Sequence, residues 1–437
     1  MLTNHQVLSR LCWLGFYNLY LHPLNKYPGP LLWRLSRIPF SLSVIAGTLP
    51  PTVLGFHDKY GPVVRIAPDE LAYISAQAWK DIYGHRPGQP SNNKDPFTYS
   101  PADSRLPGQL PPMGNGPDHS RIRRTVSHAF SAKALEEQAP LVGRYVDLLI
   151  KGLHENASKG PIDLVAWYNW CTFDIIGDLS FGKSFRCLEE QRWHPVVSTI
   201  LEGVRAGSVT SQFRRFGLLR FARYLVPRSM LDKREALIKH SIELVDERLA
   251  AGNDRPDFIT AMTKNNPDET GQGLTVPELH GNAFILVPAG SETTATLLSG
   301  ASYWLLKTPE ALKKVVAEVR SSFETQDEID FHRCSTLPYL MACLNEALRI
   351  YPPVPFGLAR RTPPNGTMID GGYVPPNTSI SVFQWAASHS KANWTRPDEF
   401  IPERWIPQAD GSQLFPNDDF GTTQPFTLGS RVCLGKK

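Results

Sequence analysis

The longest regular pattern in the chain predicts one helix that runs from Thr275 to about Leu306. Thr275 and Glu278 have the S/T-x-x-E spacing of a capping box, in which two side chains satisfy free N–H groups at the start of a helix. Thr308-Pro309 then opens another helix, because proline is favoured at a first helical position. About thirty residues at 1.5 Å each give a helix of ~45 Å. We therefore expect a helix that crosses the whole domain.

The middle of this helix contains residues that good helices avoid, in the string Ala289-Gly290-Ser291-Glu292-Thr293-Thr294. Glycine inside a helix costs ~1 kcal/mol relative to alanine, so Gly290 needs a reason. A flat cofactor supplies one, since Ala289 and Gly290 leave room for a diatomic ligand; a close crossing of two helices is the alternative. The Thr293 hydroxyl beside the Glu292 acid can deliver protons to a ligand bound at this position. Pro288 removes one helical hydrogen bond and should kink the helix.

A single cysteine near the end of the chain lies in a short segment with an unusual pattern, from Phe426 to Gly435. Only the thiolate form of cysteine binds a metal, and a thiolate ligand on a haem iron favours O–O cleavage. Gly429 and Gly435 allow a tight turn and the close approach of a flat macrocycle. Arg431 can neutralise a haem propionate, and Phe426 can shield the sulfur from water. The alternative for Cys433 alone is a small buried cysteine in a glycine-rich turn.

These two motifs resemble those of one enzyme family. The pattern F-x-x-G-x-R-x-C-x-G at residues 426–435 resembles the haem-binding loop of the cytochromes P-450, and A-G-x-[DE]-T-[ST] at residues 289–294 resembles their oxygen-activation signature. The resemblance covers nearly the whole chain. It implies the cytochrome P-450 fold, which is mainly α with small β-sheets (α+β), and haem b (iron protoporphyrin IX) with Cys433 as the metal ligand. The implied function is a haem-thiolate monooxygenase that inserts one oxygen atom of O2 into an apolar small molecule.

Two further motifs extend the resemblance, Glu346-Ala347-Leu348-Arg349 and Pro402-Glu403-Arg404-Trp405. A Glu–Arg pair three residues apart on a helix is common and is worth only ~0.2–0.5 kcal/mol on a surface. In the family, the Glu and Arg of the first motif and the Arg of the second form a buried triad that braces the haem loop. The resemblance gives those roles to Glu346, Arg349 and Arg404, with Trp405 in place of the more usual Phe. Buried charges have to be paired in this way.

Besides Arg431, three basic residues are expected to hold the haem propionates. His119 and Arg123 are four residues apart on a predicted helix that ends near Phe130, so they share one face. Without the other motifs, this pattern equally suggests a solvated basic face. The resemblance implies that these two residues hold one propionate, and that Arg360, in a strand after a proline-rich turn, contacts the second.

The chain stops at Lys437, two residues after Gly435. Relatives of full length continue into a helix that covers the proximal face of the haem and then into a last β-hairpin, and we expect both to be absent. A helix N-terminus stabilises a thiolate through its dipole and free N–H groups, so a chain without that helix should bind haem weakly. One alternative function is therefore a truncated, haem-poor inactive family member or a non-enzymatic binding protein. An incomplete gene model explains the abrupt end equally well.

A second alternative is an isomerase, dehydratase or peroxygenase of the same family that works without a reductase. The intact Glu292-Thr293 pair favours ordinary oxygen activation instead. The sequence has no flavin or nicotinamide motif, so electrons would come from NADPH–cytochrome P-450 reductase, a partner that is often acidic. Arg121, Arg124 and the terminal lysines offer basic charge for docking it. A resemblance to filamentous-fungal members of secondary metabolism suggests a terpenoid or polyketide substrate, by analogy only.

Residues 7–21 are the only candidate membrane segment. They contain Arg10 and are shorter than the ~20 apolar residues that a spanning helix needs. An aromatic, amphipathic stretch of this kind lies in a membrane interface or remains from a longer anchor, and a buried N-terminal helix is the alternative. Pro28-Gly29-Pro30 then makes a rigid turn. The fungal resemblance implies an anchor or interfacial segment over residues 1–27, a catalytic domain over residues 28–437, and the endoplasmic reticulum membrane with the catalytic domain facing the cytosol.

The composition argues against several other classes. A net charge of +4 without a basic repeat gives no support for a nucleic-acid partner. The six cysteines have no CxxC or CxnH spacing, which argues against structural zinc and a disulfide scaffold and suits a reducing compartment.

Other segments predict individual elements. Residues 62–75 alternate around a turn as a β-hairpin does, and residues 371–383 predict a turn and a strand. Residues 162–182 are apolar nearly all round, which predicts a buried helix. Residues 87–117 predict a long loop, by resemblance the cover of the substrate pocket. Residues 213–225 mix arginines with aromatics and predict a basic helix, either on a membrane surface or packed on the core.

Overall fold

The computed structural model describes residues 4–88, 90–99, 116–218, 228–252, 255–264 and 273–436. The chain forms two compact units, which we call the sheet unit (residues 1–98 and 342–433) and the helical unit (residues 99–341 and 434–437). The described residues are mainly helical with two small sheets, which confirms the expected fold class.

The helices of the described residues are, in chain order, α1 (Asn4–Phe16), α2 (Leu31–Leu35), α3 (Ile38–Ala46), α4 (Leu49–Tyr60), α5 (Ala76–Tyr83), α6 (Pro96–Tyr99), α7 (Gly116–Ser127), α8 (Ala132–Ala157), α9 (Leu164–Phe181), α10 (Cys187–Glu190), α11 (Pro195–Arg215), α12 (Arg228–Ala250), α13 (Phe258–Lys264), α14 (Val276–Lys307), α15 (Pro309–Ser322), α16 (Phe331–Ser335), α17 (Pro338–Ile350) and α18 (Gln384–His389). The strands are β1 (Val63–Ala67), β2 (Glu70–Tyr73), β3 (Asn93–Lys94), β4 (Arg360–Arg361), β5 (Thr367–Ile369), β6 (Gly372–Val374) and β7 (Ser379–Val382).

The sheet unit contains a five-stranded sheet in the order β1-β2-β7-β4-β3. Strands β1 and β2 form an antiparallel hairpin in which Val64 pairs with Ala72, and β2 pairs with β7 in parallel. This arrangement confirms the hairpin predicted in residues 62–75 and the strand predicted in residues 371–383. Strands β5 and β6 form a separate two-stranded sheet. Apolar side chains of β2, β7 and α5 are buried together in the core of this unit.

The N-terminal helix α1 is followed by a π-helical turn, Tyr17–Leu21. The buried N-terminal helix considered as an alternative is not seen, because several large apolar side chains of α1 are exposed, namely Leu11, Trp13, Leu14 and Phe16. The residues that follow α1 are bound to the rest of the sheet unit. The fully buried Arg65 donates hydrogen bonds to Asn18 O at 2.9 Å and to Pro68 O at 2.7 Å, and Leu24 is also fully buried. No helix of the described residues is both long enough and apolar enough to cross a membrane.

The helical unit is organised around α9 and α14, which pack against each other. Helix α9 has buried residues on all of its faces because α8, α10, α13 and α14 also pack against it. This confirms the buried helix predicted in residues 162–182. On the α8 side, the Trp167 ring lies so close to Gly152 that a Cβ there would come within 2.3 Å of it.

Helix α14 spans Val276–Lys307 without interruption, which confirms the long helix. The capping box is formed, since the Thr275 hydroxyl accepts the Glu278 N–H at 3.4 Å and the Glu278 carboxylate accepts the Thr275 N–H at 2.9 Å. Helix α15 begins directly afterwards at Pro309, as expected. Pro288 lies inside α14, and the helix continues on both sides of it.

Residues 87–117 are not one irregular loop, because their described part contains β3 and α6. Residues 89 and 100–115 lie outside the described residues, and so does most of the expected pocket cover. The sequence offered little warning of these two elements, since each is only two to four residues long.

The prediction of a basic helix over residues 213–225 is wrong in its first part, because α11 ends at Arg215. Gly217 has φ +68, its N–H donates to Arg214 O, and the Leu218 N–H donates to Phe213 O at 2.9 Å. These bonds form a Schellman motif, which ends a helix at a glycine in the left-handed conformation. The glycine was the signal for this ending. Residues 219–227 lie outside the described residues.

His57, near the end of α4, should make the stability of the chain depend on pH. It is 4% exposed, and its Nδ1–H donates to Gly61 O at 2.8 Å. Burial lowers the pKa of His57 to about 4, although the bond to Gly61 opposes this shift. The unfolded chain takes up a proton here below pH ~6.5 and the folded chain only below about pH 4, so the free energy of unfolding should fall between these values. At pH 5 the loss should be about 2 kcal/mol.

The variant His57→Gln should lack this part of the pH dependence. Urea unfolding of the apo chain at pH 8 and pH 5 measures it. At pH 8 histidine is neutral in both states, so the difference between the two proteins there reports lost packing alone and serves as the control. An equal loss of stability on acidification in both proteins would contradict the expectation.

Candidate active site

Glu346 lies at the centre of a buried cluster of charged side chains in the sheet unit. Its carboxylate accepts hydrogen bonds from Nε and Nη2 of Arg349 at 2.9 and 2.8 Å and from Nε of Arg404 at 3.0 Å. All three side chains are 0% exposed. Burial raises the pKa of Glu346, but the hydrogen bond from Arg349 and the charges of both arginines outweigh it, so the pKa lies below its usual value. The structure thus brings the three triad residues together with the carboxylate ionised.

Two further side chains belong to this cluster. Trp405 donates its Nε1–H to Glu346 at 2.8 Å, a bond that phenylalanine could not form. Asp418 pairs with Nη1 of Arg404 and accepts the Thr395 N–H at 2.6 Å. Two guanidinium groups therefore face two carboxylates, and the buried charge is balanced. Sequence reasoning missed Asp418, because it lies in an irregular segment that carries no motif around this residue.

The loop that carries Cys433 closes on itself, because the Cys433 N–H donates to Phe426 O at 2.9 Å. Gly429 has φ +73, and a Cβ there would lie 2.2 Å from Tyr83 O. The turn and the close approach of the α5 backbone therefore both require glycine at this position. This requirement comes from the protein itself and exists without any cofactor.

The residues that the resemblance places around the iron ligand differ in burial. Phe426 and Arg431 are half-buried, whereas the Cys433 side chain is exposed. Gly435 has φ −81 and ψ 22, a conformation that other residues also adopt. The exposed sulfur contradicts the alternative of a small buried cysteine and leaves the thiol open to a ligand.

Thr427, in the same loop, has two unfavourable features. Its φ of +58 lies in the left-handed region, which β-branched residues rarely adopt. Its side chain is 8% exposed, and the hydroxyl oxygen is buried without a hydrogen-bond partner among the described residues. Each feature costs ~1–3 kcal/mol and persists only where the surroundings impose it. The family pattern leaves this position unspecified, so the sequence gave no signal for it.

Replacing Thr427 by Gly should therefore stabilise the apo chain by about 1 kcal/mol, after the lost methyl contact and the greater entropy of unfolded glycine are subtracted. The matched control is Thr422→Gly, five residues earlier. Thr422 is fully buried, its hydroxyl donates to Asp419 O at 2.6 Å, and its φ is not positive, so its replacement should destabilise. Urea midpoints compare the variants. A midpoint for Thr427→Gly as low as that of Thr422→Gly would show that the loop is not strained.

The three predicted propionate ligands outside the Cys433 loop lie in different units. Arg360, on β4, is 3% exposed, and its guanidinium lies 5.4 Å from the centre of the Tyr83 ring. In the helical unit, His119 and Arg123 lie on α7, with His119 8% exposed and Arg123 half-buried. The solvated basic face considered as an alternative is therefore not seen at His119. The propionate roles stay predictions.

The middle of α14 shows why its glycine is needed. A Cβ on Gly290 would lie 2.7 Å from Cδ1 of Ile176 on α9, so the close crossing of two helices accounts for this residue. The Thr293 hydroxyl donates to Ala289 O at 2.7 Å and keeps a free lone pair. The Glu292 side chain is exposed and makes no hydrogen bond or ion pair with the described residues. Neighbouring protein atoms nevertheless remove some water from its carboxyl, and this desolvation raises the pKa of Glu292.

The basic residues expected to dock a reductase are only partly available. Arg121 is used inside the protein, because its guanidinium pairs with Glu278 at 2.5 Å and is 24% exposed. Sequence reasoning could not see this partner, which is 157 positions away. Arg124 and Lys436 are exposed, and Lys437 lies outside the described residues.

The donor atoms fit a haem better than a bare metal ion. Within the described ranges, no three His, Cys, Asp or Glu side chains come close enough to hold a metal ion together. A single thiol can hold iron only when another group supplies the remaining ligands, as a porphyrin does. The exposed Cys433 thiol can supply the one protein ligand that such an iron needs, and the Arg431 cation lies in the same closed loop.

A comparison with protein families decides the identification. The family model described as cytochrome P-450 matches residues 30–437. The chain belongs to the cytochrome P-450 family. It is 43% identical over 97% of its length to an averantin hydroxylase of Dothistroma septosporum, of which it covers 78%. It is also 43% identical over 96% of its length to the cytochrome P-450 monooxygenase efuB of Hormonema carpetanum, of which it covers 83%. An averantin hydroxylase of Aspergillus parasiticus is 41% identical over 97% of this chain, which covers 84% of that protein.

This membership confirms the family that the motifs indicate. The chain is an oxidoreductase of the P-450 monooxygenase class, similar to fungal monooxygenases of secondary metabolism. The family implies a haem-iron cofactor, O2, a redox partner and a small-molecule substrate. The relatives give no support to an inactive binding protein or to an isomerase, dehydratase or peroxygenase.

Proposed function

We propose that this P-450 uses haem b, held by Cys433, to hydroxylate an apolar secondary metabolite. The observation that carries the proposal is the exposed Cys433 thiol in a loop closed by the bond from the Cys433 N–H to Phe426 O. When bound, the haem supplies the iron that activates O2, and a thiolate ligand favours cleavage of the O–O bond.

The residues of the chain bind this group and limit its movement. Arg431, Arg360, His119 and Arg123 would each supply a positively charged or hydrogen-bonding side chain for a propionate. The Glu346 cluster acts on the Cys433 loop through Asp418, which lies eight residues before Phe426. Because every charge in the cluster is paired and buried, Asp418 is held in place at the start of the segment that leads into the Cys433 loop.

Proton delivery is the role of Glu292 and Thr293. Because desolvation raises the pKa of Glu292, its carboxyl keeps a proton closer to neutral pH than an ordinary glutamate does. The Thr293 hydroxyl hydrogen points to Ala289 O, and rotation about the Cβ–Oγ1 bond frees it for another acceptor. The hydroxyl can then pass on a proton that it receives at its oxygen.

Electrons would come from NADPH–cytochrome P-450 reductase, since the chain has no flavin or nicotinamide motif. Arg124 and Lys436 are exposed charges that an acidic partner can reach. Arg121 takes no part in this docking, because Glu278 already binds it.

An interfacial location on the endoplasmic reticulum membrane, with the catalytic domain facing the cytosol, fits the apolar surface of the sheet unit. Large apolar side chains are exposed on α1, the π-helical turn, α2 and α3, including Trp13, Tyr20, Leu31, Leu32 and Leu42. A surface of this kind favours burial in a membrane interface. Sedimentation with phosphatidylcholine vesicles tests whether this surface binds a membrane. A variant with Leu31, Leu32 and Leu42 replaced by Ser should remain in the supernatant, and equal sedimentation of both proteins would contradict it.

The substrate class is the remaining part of the proposal, a terpenoid or polyketide of low polarity. Two relatives are named averantin hydroxylases, so averantin is the first compound to test. The haem-loaded chain, reductase, NADPH and 18O2 should yield a product that carries one labelled oxygen atom. The same product from hydrogen peroxide without reductase, and none with the reductase, would favour a peroxygenase instead. Absence of any haem-bound protein would overturn the proposal as a whole.

A further inference from the structure

Helices α7 and α14 of the helical unit are joined by one ion pair. Arg121, on the second turn of α7, places its Nη2 2.5 Å from Glu278 Oε1 and its Nη1 3.1 Å from Glu278 Oε2. Nη1 also donates to Gly273 O, just before α14. The Arg121 and Glu278 side chains are 24% and 9% exposed, so this bidentate ion pair is largely removed from water. Such pairs fix geometry more strongly than exposed ion pairs do.

The Glu278 carboxylate has a second task at the same time, because it caps the start of α14. Its Oε2 accepts the Thr275 N–H at 2.9 Å as part of the capping box. Burial alone would raise the pKa of Glu278, but the hydrogen bonds from Arg121 and Thr275 lower it below its usual value. The group is therefore ionised at neutral pH and binds both helices through one side chain.

The two ends of α7 are held in different ways. Towards its C-terminal end, Ile122 and Val126 are 0% and 2% exposed, and the following Phe130 ring lies 4.8 Å from the Phe258 ring. On the N-terminal side of Ile122, Arg121 joins α7 to α14 through its ion pair with Glu278. A helix of twelve residues is marginal by itself, so its first turns depend on such contacts.

We propose that the Arg121–Glu278 pair positions the first two turns of α7, and through them His119 and Arg123, so that the chain retains its haem. His119 lies two residues before Arg121 on α7, and Arg123 lies two residues after it. The haem part of this inference rests on the proposed function. Arg121 and Glu278 are positioning residues, since they act through His119 and Arg123.

The double role of Glu278 allows the capping box and the ion pair to be separated by substitution. Glutamine also serves in a capping box, so Glu278→Gln keeps the cap and removes the charge of the pair. Thr275→Ala does the reverse, because it weakens the cap and leaves the pair intact. Arg121→Met removes the pair, while Arg121→Lys keeps the charge but loses the two-pronged contact.

Hydrogen exchange of the apo chain, read by mass spectrometry, tests positioning without any haem. Glu278→Gln and Arg121→Met should raise the exchange rate of amides in residues 116–123 about tenfold, and Arg121→Lys should give a smaller increase. Thr275→Ala should speed exchange at the start of α14 and leave residues 116–123 unchanged. Unchanged exchange of α7 in both Glu278→Gln and Arg121→Met would overturn the proposal.

Transfer of haem from the loaded chain to excess apomyoglobin tests the functional part. The transfer rate should increase about tenfold in Glu278→Gln and Arg121→Met, and it should stay near that of the original chain in Thr275→Ala. If the rates instead follow the melting temperatures of all four variants alike, the pair is only structural and the proposal is wrong. A chain that never binds haem would overturn the proposed function and the haem part of this inference, and the exchange experiment would still decide whether the pair positions α7.

Discussion

Serine in place of Cys433 should abolish the strongly red-shifted Soret band of the reduced carbon-monoxide complex. The shift requires a thiolate on the iron, and a hydroxyl group does not supply one. The side chain is exposed and contributes little to packing, so the free energy of unfolding of the apo chain should change by less than ~0.5 kcal/mol. The expected result is therefore the loss of a spectral signature from a chain that remains folded.

Cys334→Ser is the control for this experiment. Cys334 is half-buried on α16 of the helical unit, outside the F-x-x-G-x-R-x-C-x-G motif, and its replacement should leave the Soret band in place. A red-shifted band in Cys433→Ser would mean that another residue holds the iron. Loss of the band in both variants would show that it reports general damage rather than ligation.

Replacing Glu346 by Ala should destabilise the chain by about 3–5 kcal/mol, because it leaves Arg349 and Arg404 buried with only Asp418 to balance them. Urea unfolding of the apo chain, followed by circular dichroism, measures this loss. If the alanine variant does not accumulate, Trp405→Phe gives a milder measurement. It removes one donor to the carboxylate and should cost about 1–2 kcal/mol.

The Arg396–Glu399 pair provides a matched control in the neighbouring segment. Its side chains are 55% and 53% exposed, so Glu399→Gln should change the free energy of unfolding by less than ~1 kcal/mol. A loss in Glu346→Ala no larger than in Glu399→Gln would show that the buried cluster does not stabilise the fold.

Short sequence patterns correctly predicted the helices that depend on residues close together in the chain. The capping box at Thr275, the proline at the start of α15 and the all-round apolar pattern of α9 each depend on residues within one element, and the structure has all three. The end of α11 is equally local, because Gly217 determines it. That ending was missed because the basic and aromatic composition was given more weight than the glycine.

Features that depend on distant contacts could not be read from the pattern. The sequence left a flat cofactor and a close helix crossing both open for Gly290, and only the structure shows that a Cβ there would meet Ile176, on a helix more than a hundred residues earlier. Arg121 looked like a free surface charge until its partner on α14 was visible. The family pattern located Glu346, Arg349 and Arg404, but it contained no position for Asp418 or for the left-handed Thr427.

The buried guanidinium of Arg65 sets the limit for shortening the N-terminus when the protein is produced for crystallisation. Burial and the neighbouring Arg34 lower the pKa of Arg65 to about 10, and carbonyl groups of Asn18 and Pro68 bind the charge. A chain that began after Asn18 would lose one of these acceptors inside the protein, at a cost of ~1–3 kcal/mol. A chain that began at Tyr17 would lack the exposed apolar side chains of α1 and would keep the hydrogen bond from Arg65 to Asn18 O. A shortened enzyme that is both stable and less prone to aggregate should therefore begin at Tyr17, before the proline turn at which the family match begins.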